Sequence, residues 1–258
     1  MLRKASDLTG CSIQAKDGEI GNSSDLLFDD ESWSVRWLVV ETGSWLTRRK
    51  VLLPSSQLRP QSGAQTIPVD LTREQVKSSP DIDTEKPVTR QMESSVYGYY
   101  GWPAYWPVGA GAWPIGAAYI PPMGHTPAYT PPARPTERDE ILRQADRGDP
   151  HLRSVNEVTG YYIQGSDDDI GHVDDFLVDA ENWAIRYIIV DTSNWWVGKQ
   201  VLIAPRWIKS VLWSDQMVWI GRTRQEIKDA PEYDPARPIE RGYEVGLHRH
   251  YDAPGYWA

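Results

Sequence analysis

The chain contains a copy of itself, and that excludes any architecture in which its two halves fold differently. Offset by 150 residues, Leu2–Leu58 falls on Leu152–Ile208 without a gap, and 20 of the 57 positions are identical. The identities include Thr9-Gly10 with Thr159-Gly160, Ile20-Gly21 with Ile170-Gly171, Asp25 with Asp175, Asp29 with Asp179, Trp33 with Trp183, Arg36 with Arg186 and Trp45 with Trp195. From Thr72 the offset becomes 151, so one residue was inserted or lost in the loop between. The match then runs on: Arg90 and Glu93 meet Arg241 and Glu244, and Tyr100-x-x-Pro103-x-Tyr105-Trp106 meets Tyr251-x-x-Pro254-x-Tyr256-Trp257. Twelve of these 35 positions are identical. The chain therefore divides into a first unit with an aromatic tail, residues 1–106, and a second, residues 151–258, each of about one hundred residues and large enough for its own core.

Between them lies 107–150, which begins PVGAGAWPIGAAYIPPMGHTPAYTPPARP. Proline removes a backbone donor and glycine raises the entropy cost of order, so this stretch reads as a semi-extended, polyproline-like linker. A short helix is expected near 136–147, with Thr136 as its N-cap.

Each unit reads as all-β with short helical pieces. In the second unit, strands are expected at Tyr161–Gln164, Ile170–Asp179, Trp183–Asp191, Val201–Ala204 and Met217–Ile220. The spacing suggests a small barrel or sandwich. Thr223 should cap a brief helix, Arg224–Lys228, that ends before Pro231. Gly21 and Gly171 interrupt strand patterns, as a bulge or a sharp bend requires. The order Thr159-Gly160, Asp169-Ile170-Gly171, Val173-Asp174-Asp175, Ile188-Ile189-Val190-Asp191 and Val201-Leu202-Ile203-Ala204-Pro205 resembles the PRC-barrel. That module is named after the cytoplasmic domain of the photosynthetic reaction-centre H subunit, and it also forms the C-terminal half of a ribosome maturation factor. The first unit shows the same likeness through Thr9-Gly10, Asp17-Gly18, Ile20-Gly21, Val51-Leu52-Leu53-Pro54 and Thr72-Arg73-Glu74. The resemblance covers about 2–83 and 152–234. It implies two small β-barrels in tandem, used for protein contacts and assembly rather than catalysis. Neither unit carries the H subunit's membrane helix or the maturation factor's RNA-binding barrel, so neither relative's function transfers.

Composition narrows the function classes. A net charge of −9, of which 151–258 carry −6, argues against nucleic acid as a partner, because phosphate neutralisation needs clustered Lys and Arg. No apolar run suits membrane insertion or a signal peptide. The single cysteine, Cys11, excludes an internal disulfide and fits a reducing compartment, so a cytoplasmic location is expected.

Candidate chemistry is sparse. Asp167, Asp168, Asp169, Asp174 and Asp175 lack the spacing of a calcium loop and read as solvated turn carboxylates. His248 and His250, two apart, would share a face on a strand and are the weak candidates for a metal site. The repeated Asp25, Asp29 and Arg36, with Asp175, Asp179 and Arg186, read as cross-strand ion pairs at a barrel rim. No nucleophile, phosphate-loop or metalloprotease motif occurs, and no cofactor is expected. The aromatic residues are the candidates for packing and contact: Trp45, Trp195 and Trp196 in turns, and Tyr100, Tyr105, Trp106, Tyr251, Tyr256 and Trp257 in the repeated tails, which are expected to fold back on a barrel. Six of the 13 tryptophans form duplicated pairs, and the unrepeated ones should mark where the halves diverged. The expected function is a non-catalytic protein-binding or assembly module with the units paired about a pseudo-twofold axis and a homodimer left open. The alternative is a small-ligand or metal sensor using the cleft between the barrels.

Overall fold

In a computed structural model of the chain, the residues described are 1–43, 46, 49–59, 65–80, 90–101, 151–192 and 199–257. The linker, the helix expected at 136–147, and Trp45, Trp195, Trp196, Tyr105 and Trp106 lie outside them.

The first unit contains β1 (Leu2–Lys4), β2 (Ser12–Ala15), β3 (Gly18–Asp29), β4 (Ser34–Thr42), β5 (Lys50–Pro54), β6 (Thr66–Pro68), α1 (Arg73–Lys77) and α2 (Arg90–Tyr100). The second contains β7 (Leu152–Ser154), the single turn α3 (Val155–Val158), β8 (Tyr162–Gln164), β9 (Asp169–Asp179), β10 (Ile185–Asp191), β11 (Gln200–Ile203), β12 (Ile208–Leu212), β13 (Met217–Ile220), α4 (Arg224–Asp229) and α5 (Arg241–His250). The chain is all-β with short helices, as its sequence implies. Each unit builds one sheet, in the order β5-β4-β3-β2-β6 in the first and β11-β10-β9-β8-β13-β12 in the second. Among the described residues no pairing closes either path into a continuous ring.

Several local expectations are met with their mechanism visible. Thr223 accepts from the Glu226 amide while Glu226 reaches back to the Thr223 amide, a complete capping box, and Thr72 with Gln75 repeats it at α1. Gly21 and Gly171 stand at matching bulges. The register jumps from Ile13↔Gly21 to Gln14↔Glu19, and from Ile163↔Gly171 to Gln164↔Asp169. Both have positive φ, +154° and +152°.

Several elements were not foreseen. β12 follows a short 3-10 turn at Pro205–Trp207, and α2 and α5 occupy the start of the aromatic tails. The most consequential is the path of the first strand of each unit. β1 does not join its own unit's sheet. It pairs antiparallel with β9, in register Leu2↔Asp179, Arg3↔Val178 and Lys4↔Leu177. β7 pairs in the same way with β3, as Leu152↔Asp29, Arg153↔Phe28 and Ser154↔Leu27. The two sets correspond residue by residue at the offset of 150. The length of β3 and β9 makes this geometrically natural: the N-terminal half pairs with the unit's own short β2 or β8, and the C-terminal half accepts the foreign strand on the same edge.

Candidate interaction surface

The exchanged strands bring the repeated polar residues to the junction between the units. Asp175 accepts from the Ser6 hydroxyl at 2.5 Å and the Ser6 amide at 3.2 Å, and Asp25 accepts from the Ser154 hydroxyl at 2.5 Å and the Asn156 amide at 3.2 Å. The expected grouping of Asp25 and Asp175 with the arginines is therefore corrected. Only Asp29 and Asp179 pair with Arg36 and Arg186, whereas Asp25 and Asp175 hold the segment that crosses from the other unit. A short side chain beside incoming backbone amides is better placed as an acceptor than as one half of an ion pair.

Burial raises both carboxyls above the ordinary 3.8 despite these hydrogen bonds. A carboxyl that holds its proton more tightly in the folded chain contributes stability that is complete below the unfolded value and falls as pH rises through the folded one. We expect the Asp25→Asn, Asp175→Asn double variant, which keeps an acceptor for each amide, to lose this component. Its urea midpoint relative to the parent should rise from pH 3.5 to 7, and a constant difference would contradict the assignment. Asp179 goes the other way. Burial opposes its ionisation, but the Glu181 amide, Arg186 and the chain's amino group hold it below the usual carboxylate range.

The middle of the junction is apolar. Phe28 and Phe176, both fully buried, approach with ring centroids 5.8 Å apart, and Trp33 stacks on Phe28 at 5.4 Å. Trp33 and Trp183 both take positive φ, 52° and 61°, in the turns after β3 and β9. Asp29 accepts from the Glu31 and Ser32 amides and so holds its turn closed. The Val35 amide then donates to the Trp183 carbonyl and the Ile185 amide to the Trp33 carbonyl, so β4 and β10 meet across the junction. One core cluster runs through both units.

The aromatic tails start as helices docked on the outer face of each sheet. In the first unit Glu93, fully buried, accepts from Trp37 Nε1 at 2.5 Å and lies 3.8 Å from Arg36, and Tyr97 meets Trp37 edge-on at 5.1 Å. In the second unit Glu244 accepts from Tyr187 at 3.1 Å and Tyr256 at 2.8 Å, and pairs with Arg241 at 3.0 Å. Arg186 stacks on Tyr256, 4.1 Å from its centroid. Tyr251 is buried against Trp207 at 4.6 Å, and Trp257 packs on His248 at 4.9 Å under Arg241. Tyr100 is half-buried beside Tyr99. Burial pushes the Tyr97 and Tyr100 hydroxyls up to about 12, and Tyr187 and Tyr251 higher.

The histidine reading needs correction. His248 and His250 lie on a helix, where residues two apart point to nearly opposite sides. His248 is buried between Tyr187 and the Pro254 carbonyl, at 3.0 and 2.9 Å, and burial lowers its pKa. His250 is exposed and meets the Glu226 carbonyl at 2.8 Å. They cannot share an ion. Of the acidic cluster, Asp167 accepts from the Arg224 amide at 2.8 Å, as Asp17 does from Arg73 at 2.7 Å, and Asp168 pairs with Arg224.

Sequence reasoning had access to a signal for the docked helices. Glu93, Val96, Tyr97 and Tyr100, and their counterparts Glu244, Leu247, His248 and Tyr251, follow the i, i+3, i+4, i+7 spacing of one helix face. A second signal is the apolar run Tyr187-Ile188-Ile189-Val190 in β10, since a strand buried on both faces needs a cover on each.

At one side of the junction the surface is grooved. A cavity of about 460 Å³ opens between Asp30, Trp33, His151, Arg153, Lys209 and Trp213. Arg153 donates to Asp30 at 2.9 Å while its guanidinium lies 4.3 Å from the Trp213 ring centroid, and His151 Nδ1 lies 2.9 Å from Asp30. Under the repeat offsets, Asp30 faces Ala180, His151 faces Met1 and Trp213 faces Ser62, so this groove belongs to one side only.

Residues 2–76 and 150–214, just over half the chain, match the family model of the PRC-barrel domain, once per unit. The chain belongs to the PRC-barrel family. Each match begins at or next to the exchanged strand, so in this tandem PRC-barrel protein β1 and β7 belong to the domain rather than to a leader. Membership points to a general protein-interaction or assembly module. No curated protein matches the chain in sequence. Among the described residues no helix is long and apolar enough to cross a membrane.

Proposed function

We propose that this PRC-barrel protein is a non-catalytic scaffold whose two units, paired about a pseudo-twofold axis, bind another protein along the junction groove. The observation that carries the reading is how the repeated polar residues are used. Asp25, Asp29 and Glu93 and their counterparts are taken up in holding strands, turns and helices together, which leaves recognition to residues that differ between the units. The groove adds such residues, Asp30, His151 and Trp213, to the repeated Trp33 and Arg153. It joins an aromatic floor, Trp33 and Trp213, to a rim of both charges, an arrangement suited to a protein surface. A photo-cross-linker at Glu31, exposed at the groove's edge, should form a discrete adduct with one protein in cells, and the same group at Glu74 on α1 should not. Equal yields at both positions, or none at either, would remove the groove from consideration.

One observation supports a second reading. A cavity of about 610 Å³ lies between Leu2–Lys4 of the first unit and Tyr233–Ile239 of the second, within the size range of small-molecule sites. A small-ligand sensor would show a melting temperature that rises with ligand concentration and is insensitive to changes at Glu31.

A further inference from the structure

The outer face of β8, β13 and β12 exposes large apolar side chains. The registers Tyr162↔Met217↔Leu212 and Gln164↔Trp219↔Ser210 place six side chains on one surface in two rows. The alternating residues Ile163, Val218 and Ile220 point into the core. Tyr162 is 62% exposed, Leu212 42% and Trp219 39%, and none of the six is charged. The first unit does not share this surface: Ser12, Thr66 and Pro68 stand where the second has Tyr162, Met217 and Trp219. The unrepeated aromatic residues thus mark a face without an aromatic counterpart among the described residues of the first unit.

We propose that this face is the docking surface for the chain's own proline- and aromatic-rich segment, residues 107–135. Its chemistry matches. The segment has eight prolines, interspersed with Trp113, Tyr119 and Tyr129, and Arg134 is its one residue with a formal charge. Proline rings packed between exposed Tyr and Trp side chains bury apolar area at low entropy cost, because the backbone is already restricted. A segment with one charge, on a face whose charged neighbours Lys209 and Asp169 stand at its margins, leaves little charge to desolvate.

The place where the chain re-enters the described structure points the same way. The segment is followed by 136–150, and His151 then lies in the groove beside Lys209, Ser210 and Trp213, so the chain arrives alongside β12. Ser210 lines that groove and also stands on the open face, which makes the two surfaces continuous. Fifteen residues reach up to about 50 Å extended. Twelve of them as a helix would still span about 18 Å, whereas the face from β12 to β8 is only about 10 Å wide. A tether of this length gives an effective concentration of about a millimolar, enough to populate even a weak intramolecular contact. This inference goes beyond the protein-binding reading, since its surface is the outer sheet face and its occupant is the chain itself.

The test is hydroxyl-radical footprinting of the full chain, read by mass spectrometry. Replacing 107–135 with a Gly/Ser segment of equal length should raise the oxidation rates of Tyr162 and Trp219 at least threefold and leave Tyr99, exposed on α2, unchanged. In the full chain with Tyr162→Ser and Trp219→Ser, Trp113 and Tyr119 should become correspondingly more reactive. Unchanged rates at Tyr162 and Trp219 after the replacement would overturn the proposal. So would protection that depends on protein concentration and tracks a dimer in sedimentation, because a second copy would then be the occupant.

Discussion

Gly171→Ala should destabilise the protein by roughly 3–5 kcal/mol, with Gly21→Ala close behind, through strain and overpacking at one atom. A Cβ at Gly171 would lie 1.9 Å from the Asp191 carbonyl oxygen, and one at Gly21 would lie 2.0 Å from that of Glu41. Both obstacles are backbone of the neighbouring strand, β10 or β4, so no side chain can swing aside. The conformation adds to the cost, since φ near +150° is open to glycine and strained for alanine. Gly246 is the control. It lies inside α5 with open space around it, and Gly246→Ala should stabilise by about 0.5–1 kcal/mol through helix propensity and unfolded-state entropy. Chemical denaturation of the three variants checks the ranking. Tolerance of alanine at Gly171 would mean that the bulge is not where the register places it.

Phe176→Ala and Phe28→Ala should each cost about 3–5 kcal/mol as buried large-to-small changes. The informative quantity is their coupling. The rings belong to different units, lie 148 positions apart in the chain, and meet at 5.8 Å. Residues in contact show interaction energies of about 0.5 kcal/mol or more in a double-mutant cycle, whereas distant sites add within about that error. The double variant should therefore lose less than the sum of the single losses, because the second truncation enlarges a cavity already open. Strict additivity would place the two rings in separate cores.

The parts of this fold that were legible in the sequence are those decided locally. Gly171 within a strand pattern announced the bulge, and Thr223 followed by Pro231 announced a short capped helix, because each signal lies within a few residues of what it decides. Asp25 was misassigned because its partners, Ser154 and Asn156, lie some 130 residues away and reach it only through the strand exchange. The exchange itself has no sequence signature. Leu2–Lys4 and Leu152–Ser154 are too short to show alternation, and either edge of either long strand would satisfy their backbone groups equally. The helices α2 and α5 were hidden for a different reason. Their glycines, Gly98, Gly242 and Gly246, lower helix propensity, and packing of one face on the sheet overrides it. For the candidate surface, the aromatic residues were legible as contact residues, but not which of them face inward. Tyr251 and Trp207 are core, whereas Tyr162 and Trp219, unremarked in the strand pattern, are exposed.

Each PRC-barrel unit is completed by the first strand of the other. A protease site placed within 107–135 of the full chain tests it directly. After cleavage, with no covalent link left between the units, sedimentation should show one particle of the parent mass, 29.3 kDa, holding both fragments in equal amounts. Two folded, separately sedimenting fragments of about half that mass would contradict the exchange.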